Sequence, residues 1–245
     1  MIAIVDIGNT RTKLALYGDE GMLKAERTLS TADDFSGAAA GIFEEKISKA
    51  VIGSVVPAHN AAWEAFFSAR ASSVHFASHA SPWSFSIEVE SPEKVGIDRL
   101  ANLEAVSDIP GAVLVIDAGT ATKFDLLEGV EKRSFPGGAI APGMAISYEA
   151  LLNNAAQLNK IELDKFSPVV GYNTETAIRS GVLHGFAAQA DGMVMRMVEE
   201  RRLPSLAAVI ATGGNAKFLT GRSRLITQQR PRLTLEGLYA LARKI

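Results

Sequence analysis

Eight consecutive residues, Asp6-Ile-Gly-Asn-Thr-Arg-Thr-Lys13, gather a carboxylate, a glycine, an amide, two hydroxyls and two cations directly after the apolar run 2–5. On local grounds this is the tip of a hairpin, because Asp, Gly and Asn supply the dihedral angles and short hydrogen bonds of tight turns. A second copy gives it chemical weight. Leu114-Val-Ile-Asp-Ala-Gly-Thr-Ala-Thr-Lys-Phe-Asp125 again runs an apolar strand into Asp-x-Gly, hydroxyls and a lysine, with Asp117 standing 111 residues after Asp6. Glycine lets backbone approach a phosphate, hydroxyls and amides donate hydrogen bonds, lysine adds positive charge, and a carboxylate such as Asp6 can hold hydrated Mg²⁺. Two such loops facing each other would make a cleft suited to ATP.

Other candidates are less specific. In Val95-Gly-Ile-Asp-Arg-Leu100, Asp98 reads on its own as the N-cap of a following helix. The alternative is a carboxylate that takes a proton from a substrate hydroxyl, with Arg99 fixing an anionic group. Gly137-Gly138, Pro142-Gly143 and Ala211-Thr-Gly-Gly-Asn215 are glycine clusters at strand ends, compatible with a nucleotide base or with plain turns. Neither the P-loop nor the Rossmann glycine pattern occurs. His75 and His79 lack a helical context that would make them a metal pair, Met193, Met195 and Met197 read as helix-packing residues, and Arg222, Arg224, Arg230 and Arg232 as solvated surface.

The elements needed to position these loops follow from hydrophobic periodicity. The first half reads as strands over 2–5, around Leu14 and Leu16 and over 22–29, with a turn at 18–21. A helix over 32–49, a strand over 50–56, a helix over 58–71, a strand near Val74, an irregular segment over 81–93 and a helix over 99–106 follow. The second half repeats the order, with strands over 112–118, 121–127 and 133–140, helices from about Ala145 and from Thr174 towards Arg202, and a strand over 207–211. Two βββ units, each followed by α and β elements, imply two similar domains.

A chain of 245 residues, 47 % apolar, can bury one large core or two of about 100 to 150 residues. A net charge of −2 lacks the basic footprint of a nucleic-acid or anionic-membrane partner. The absence of cysteine excludes disulfides, thiolate metal sites and a cysteine nucleophile. No basic segment precedes the first apolar run and no stretch approaches the length of a membrane span, so a cytoplasmic, reducing compartment is expected.

The motifs taken together resemble the type III pantothenate kinases of the actin, Hsp70 and sugar kinase superfamily: DIGNTRTK from Asp6, GIDR around Asp98, DAGTAT from Asp117, GGAIAPG from Gly137, NTETAIRSG around Thr174, ATGG at Thr212 and LTLEGL from Leu233. The resemblance implies an α/β chain of two actin-like ATPase (ribonuclease H-like) domains, each a mixed βββαβα-type sheet with flanking helices, with the ATP cleft between them. The expected domains are 1–110 and 111–245, the last helix packing back on the first. It further implies transfer of the ATP γ-phosphate to the pantothenate 4′-hydroxyl, the first step towards coenzyme A. Asp6, Ile7, Gly8, Asn9, Thr10, Arg11, Thr12 and Lys13 would bind ATP, Asp6 also holding Mg²⁺ through water, with Thr120 at the nucleotide. Asp98 would be the proton acceptor, and Gly96, Ile97, Asp98 and Arg99 would hold pantothenate. Asp117 would coordinate K⁺ or NH₄⁺, and Thr174 would reach pantothenate across a homodimer interface. Two positions depart from the family pattern: Val89 where a tyrosine is common seven residues before GIDR, and Lys123 where a second threonine is common after DAGTAT. Other readings of the same residues are a nucleotide-binding regulator without catalysis and a kinase for another small acceptor.

Overall fold

The computed structural model describes residues 1–18, 20–155 and 158–245. Its backbone divides into two compact units, one of Met1–Asp108, Lys132–Phe135 and Arg232–Ile245, the other of Ile109–Glu131 and Pro136–Pro231.

In the first unit β1 (Ile2–Ile7), β2 (Arg11–Tyr17) and β3 (Leu23–Ser30) form an antiparallel meander. The segment α1 (Ser36–Ala40) leads to β4 (Lys49–Ser54), which lies parallel to β1. A 3₁₀ turn at Pro57–His59 opens α2 (Asn60–Ser68), and β5 (Val74–Phe76) completes the sheet in the order β3-β2-β1-β4-β5. The short β6 (Ser86–Ile87) pairs with Ser134 and Phe135 of the same unit, and α3 (Ile97–Glu104) follows. The turn expected over 18–21 includes Asp19, which lies outside the described residues.

The second unit contains β7 (Val113–Ala118) antiparallel to β8 (Ala121–Glu128), then β9 (Ser134–Pro142), whose first two residues count with the first unit. Two helices, α4 (Met144–Asn154) and α5 (Thr174–Glu200), precede β10 (Ala208–Thr212), which pairs parallel to β7. The segments α6 (Ala216–Leu219) and β11 (Gln228–Gln229) close the unit, and its strands run in the order β11-β10-β7-β8-β9. The last helix, α7 (Leu233–Ala242), belongs to the first unit.

Strands buried on both faces explain the unbroken apolar runs. On β1 and β2, Ala3, Val5, Ile7, Leu14 and Leu16 pack with Trp63 and Phe67 of α2, while Ile4, Ala15 and Tyr17 face Leu235, Leu238 and Leu241 of α7. In the second unit Leu114, Ile116, Ala118 and Phe124 pack against Leu183, Phe186, Ala187, Ala190 and Val194 of α5. Met193 and Met197 join that cluster as expected, whereas Met195 is exposed. Among the described residues no helix is long and apolar enough to cross a membrane.

The helix expected over 32–49 is a correction. Only Ser36–Ala40 is helical, and the chain then descends through buried Ile42, Phe43 and Ile47, the last bridging to Ala71, before β4 begins at Lys49. The glycines at 37 and 41 weaken a helix interior, and burying three large apolar groups in the α2 layer decides the path.

Candidate active site

The first hairpin places Asp6 on β1 directly opposite Lys13 on β2, with the lysine Nζ 3.9 Å from the Asp6 Oδ2. The tip closes through a Gly8 N–H bond to the Arg11 carbonyl, 3.1 Å long. A Cβ on Gly8 would stand 2.9 Å from that carbonyl oxygen, so the turn needs a glycine. Asn9, Thr10 and Arg11 project into solvent, while Ile7 and Thr12 are buried. Of the expected phosphate-binding residues, these two have their side chains packed inside the hairpin.

Thr31, which the sequence reading did not single out, braces this tip. Its hydroxyl donates to the Gly8 carbonyl at 2.8 Å, lies 3.0 Å from the Thr12 hydroxyl, and its backbone N–H donates to the Thr10 carbonyl at 3.1 Å. Thr31 follows the mostly exposed β3, so nothing local marks it, and its partners lie about twenty positions earlier in the chain.

Beside Asp6 in the parallel pairing stands Gly53 of β4. Its missing side chain admits the start of α3, for a Cβ there would lie 3.2 Å from Ile97 Cγ2. The N-cap of α3 is Gly96, and no side chain caps it, so the capping role considered for Asp98 is corrected: Asp98 sits inside the first turn. Its Oδ1 accepts the Arg99 backbone N–H at 2.9 Å, and a Cβ on Gly96 would come within 2.6 Å of the same oxygen. A carboxylate at this end of a helix is favoured by the unpaired N–H groups and the helix dipole. The Arg99 guanidinium lies over the Phe135 ring, 5.3 Å from its centre. Phe85, near the Val89 departure, is buried and stacked on Trp83.

The frame of α3 comes from α7. Gly237 meets α3 so closely that a Cβ would fall 1.7 Å from the Ala101 carbonyl oxygen, and Thr234 donates to the buried Asn102 side-chain carbonyl at 2.9 Å. At the far end the Lys244 ammonium pairs with Glu104.

The second hairpin repeats the first with a turn one residue shorter. Asp117 on β7 stands opposite Lys123 on β8, and the two side chains are joined at 3.3 Å. The Gly119 N–H donates to the Ala121 carbonyl at 3.1 Å, and Thr120 is exposed. Two of the glycine clusters explain themselves here as backbone contacts. A Cβ on Gly143, just before α4, would fall 2.2 Å from the Thr120 carbonyl oxygen. Gly213 adopts a left-handed φ of 89° after β10, and a Cβ there would reach 2.6 Å from Asp117 Oδ1. Asn215 completes the support, its side-chain amide donating to the Gly119 carbonyl at 3.2 Å.

Thr174 is the first residue of α5, exposed, in a helix start closed by the reciprocal Asn173 and Thr176 capping box. It opens onto a polar pocket of ≈ 520 Å³ whose cations are Lys160 and Lys165. Buried Arg179 fixes one wall by donating to the Glu162 carbonyl at 2.8 Å. Among the described residues no group of three or more His, Asp or Glu is arranged to hold a metal ion.

A family model for type III pantothenate kinase matches residues 2–196. The chain belongs to the type III pantothenate kinase family. The protein named type III pantothenate kinase in Desulfosudis oleivorans is 36 % identical over 251 residues, covering 97 % of each chain. The one in Halalkalibacterium halodurans is 35 % identical over 263 residues, covering 100 % of this chain and 99 % of the relative. Among solved structures, glucokinase from an Antarctic psychrotroph aligns with a TM-score of 0.55 at 13 % identity, covering 100 % of this chain and 99 % of the other. At that identity the likeness shows the fold alone. It agrees with the expected class, a mixed α/β chain with two sheets. This member of the pantothenate kinase family carries the expected GIDR start of α3 and both Asp-x-Gly hairpins, and adds Thr31, Gly53 and Gly213 as their supports.

Proposed function

We propose that the protein transfers the γ-phosphoryl group of ATP to the 4′-hydroxyl of pantothenate, giving 4′-phosphopantothenate and ADP. The observation that carries this reading is the family match over residues 2–196, with full-length relatives that are named for this activity. The reading explains why chemistry-bearing side chains gather at Asp6–Lys13 and Gly96–Arg99.

In the proposed reaction the exposed hydroxyl, amide and backbone groups of the first tip bind the ATP phosphates, and Lys13 adds charge. Asp6, with 11 % of its side chain exposed, is the carboxylate that would hold hydrated Mg²⁺, whose charge neutralises the phosphate oxygens. Asp98 orients the attacking hydroxyl and accepts its proton as the new O–P bond forms and the bond to ADP breaks. Gly96, Ile97 and Arg99 hold pantothenate, the guanidinium being suited to its carboxylate. Thr120 meets the nucleotide. Thr174 reaches pantothenate from the partner of a homodimer, and the working compartment is the cytoplasm. A monovalent cation, K⁺ or NH₄⁺, which the resemblance assigns to Asp117, meets a carboxylate that the Lys123 ammonium already pairs, and this donor set does not fit a second cation.

The test is an acceptor panel. With ATP and Mg²⁺, pantothenate is expected to be phosphorylated in preference to hexoses, glycerol and acetate. Preference for a sugar or acetate would replace the substrate assignment, and ATP binding without transfer to any acceptor would favour a nucleotide-binding regulator.

A further inference from the structure

Lys123 is the feature of the second hairpin that the family reading leaves unexplained. The same cross-strand pair recurs in both halves, Asp6 with Lys13 and Asp117 with Lys123, yet the second is tighter: 3.3 Å against 3.9 Å, with a hydrogen bond from Nζ to Oδ2. Both side chains of the second pair are largely shielded, 20 % of the lysine and 15 % of the aspartate being exposed. The other oxygen, Oδ1, is walled by the Gly213 backbone. Asp125, two residues along β8 on the same face, is fully buried, so this face carries two carboxylates beside the lysine.

We propose that the Lys123 ammonium is a built-in monovalent cation on Asp117, taking the position of the K⁺ or NH₄⁺ ion that the family resemblance assigns there, and that the enzyme therefore works without either ion. The proposal rests on the kinase reading for its catalytic part only. An alkylammonium has the charge and the N–H donors of NH₄⁺, and because it is tethered opposite its carboxylate it does not dissociate when the salt is changed. Shortening it should restore an ion site. Thr212, the β10 partner of Asp117 on the same face, has a buried hydroxyl oxygen with no hydrogen-bond partner among the described residues, and with the Asp117 carboxylate it offers oxygen donors once the ammonium is gone.

The experiment compares wild type and Lys123→Thr in potassium, sodium and choline chloride at equal ionic strength, measuring both turnover and the thermal unfolding midpoint. Wild-type turnover is expected to agree within about twofold across the three salts, while the variant slows by about tenfold or more in choline and sodium and recovers in potassium. The wild-type midpoint should not distinguish the salts, and that of Lys123→Thr should rise selectively with K⁺, as linkage to a bound ion requires. Potassium-selective activation or stabilisation of the wild type would overturn the proposal. So would a variant equally slow in every salt, the result expected if Lys123 instead contacts the nucleotide. If wild type phosphorylates nothing in any salt, the kinase reading fails, and the midpoints still decide the ion question in the same two directions.

Discussion

Gly53 and Ile97 meet where β4 passes under the start of α3: a Cβ on the glycine would lie 3.2 Å from Ile97 Cγ2 and 3.0 Å from the methyls of Leu238. Because Gly53 is also the strand neighbour of Asp6, this contact ties the tip of the first hairpin to the helix turn that carries Asp98. Gly53→Val is expected to cost about 1–3 kcal/mol of stability through overpacking and to lower turnover by displacing that turn. Denaturant unfolding and steady-state kinetics on the same preparation check this. Wild-type values in both would mean that the backbone gives way without moving Asp98.

A second prediction concerns alkaline stability. Burial, followed by the charges of Glu236 and Glu26, raises the Tyr17 hydroxyl from its ordinary value of 10.0 to about 12. The ring is stacked on Tyr239, with centres 4.2 Å apart. Since the folded state holds this proton more tightly, the contribution is present below the unfolded value and is lost as pH rises towards the folded one. Stability should therefore fall over that window by on the order of 2 kcal/mol from this group, discounted for partial solvation. Tyr17→Phe should flatten that part of the profile. Chemical denaturation below and above the window measures it, and identical slopes for wild type and variant would contradict the assignment.

The hairpins were legible because their chemistry is local: an apolar strand, Asp-x-Gly and a lysine carry both the turn and the charge in one stretch. The pairing of Asp117 with Lys123 needed the strand register, which fixes that residues six apart in sequence stand face to face. Thr31 escaped notice because its partners, Gly8 in the turn and Thr12 on β2, belong to the first hairpin, about twenty residues earlier. The same holds for Gly237, whose necessity comes from the Ala101 carbonyl on α3 and from nothing in its own neighbourhood. Local reasoning failed over residues 32–49, where alanine-rich composition favoured a helix and burial of Ile42, Phe43 and Ile47 drew the chain elsewhere. Asp98 shows the reverse case: its spacing allowed either a cap or a base, and the position of Gly96 as N-cap removes the first.

In the proposed reaction Asp98 accepts the pantothenate proton during phosphoryl transfer from ATP. Its most direct measurement is the formation of 4′-phosphopantothenate, followed by ³¹P NMR, for wild type and Asp98→Asn side by side, with ATP affinity measured on both. Product is expected from wild type, with turnover lower by about 10²- to 10⁴-fold in Asp98→Asn and similar ATP affinity for the two. No product from wild type, or near wild-type turnover in the variant, would contradict it.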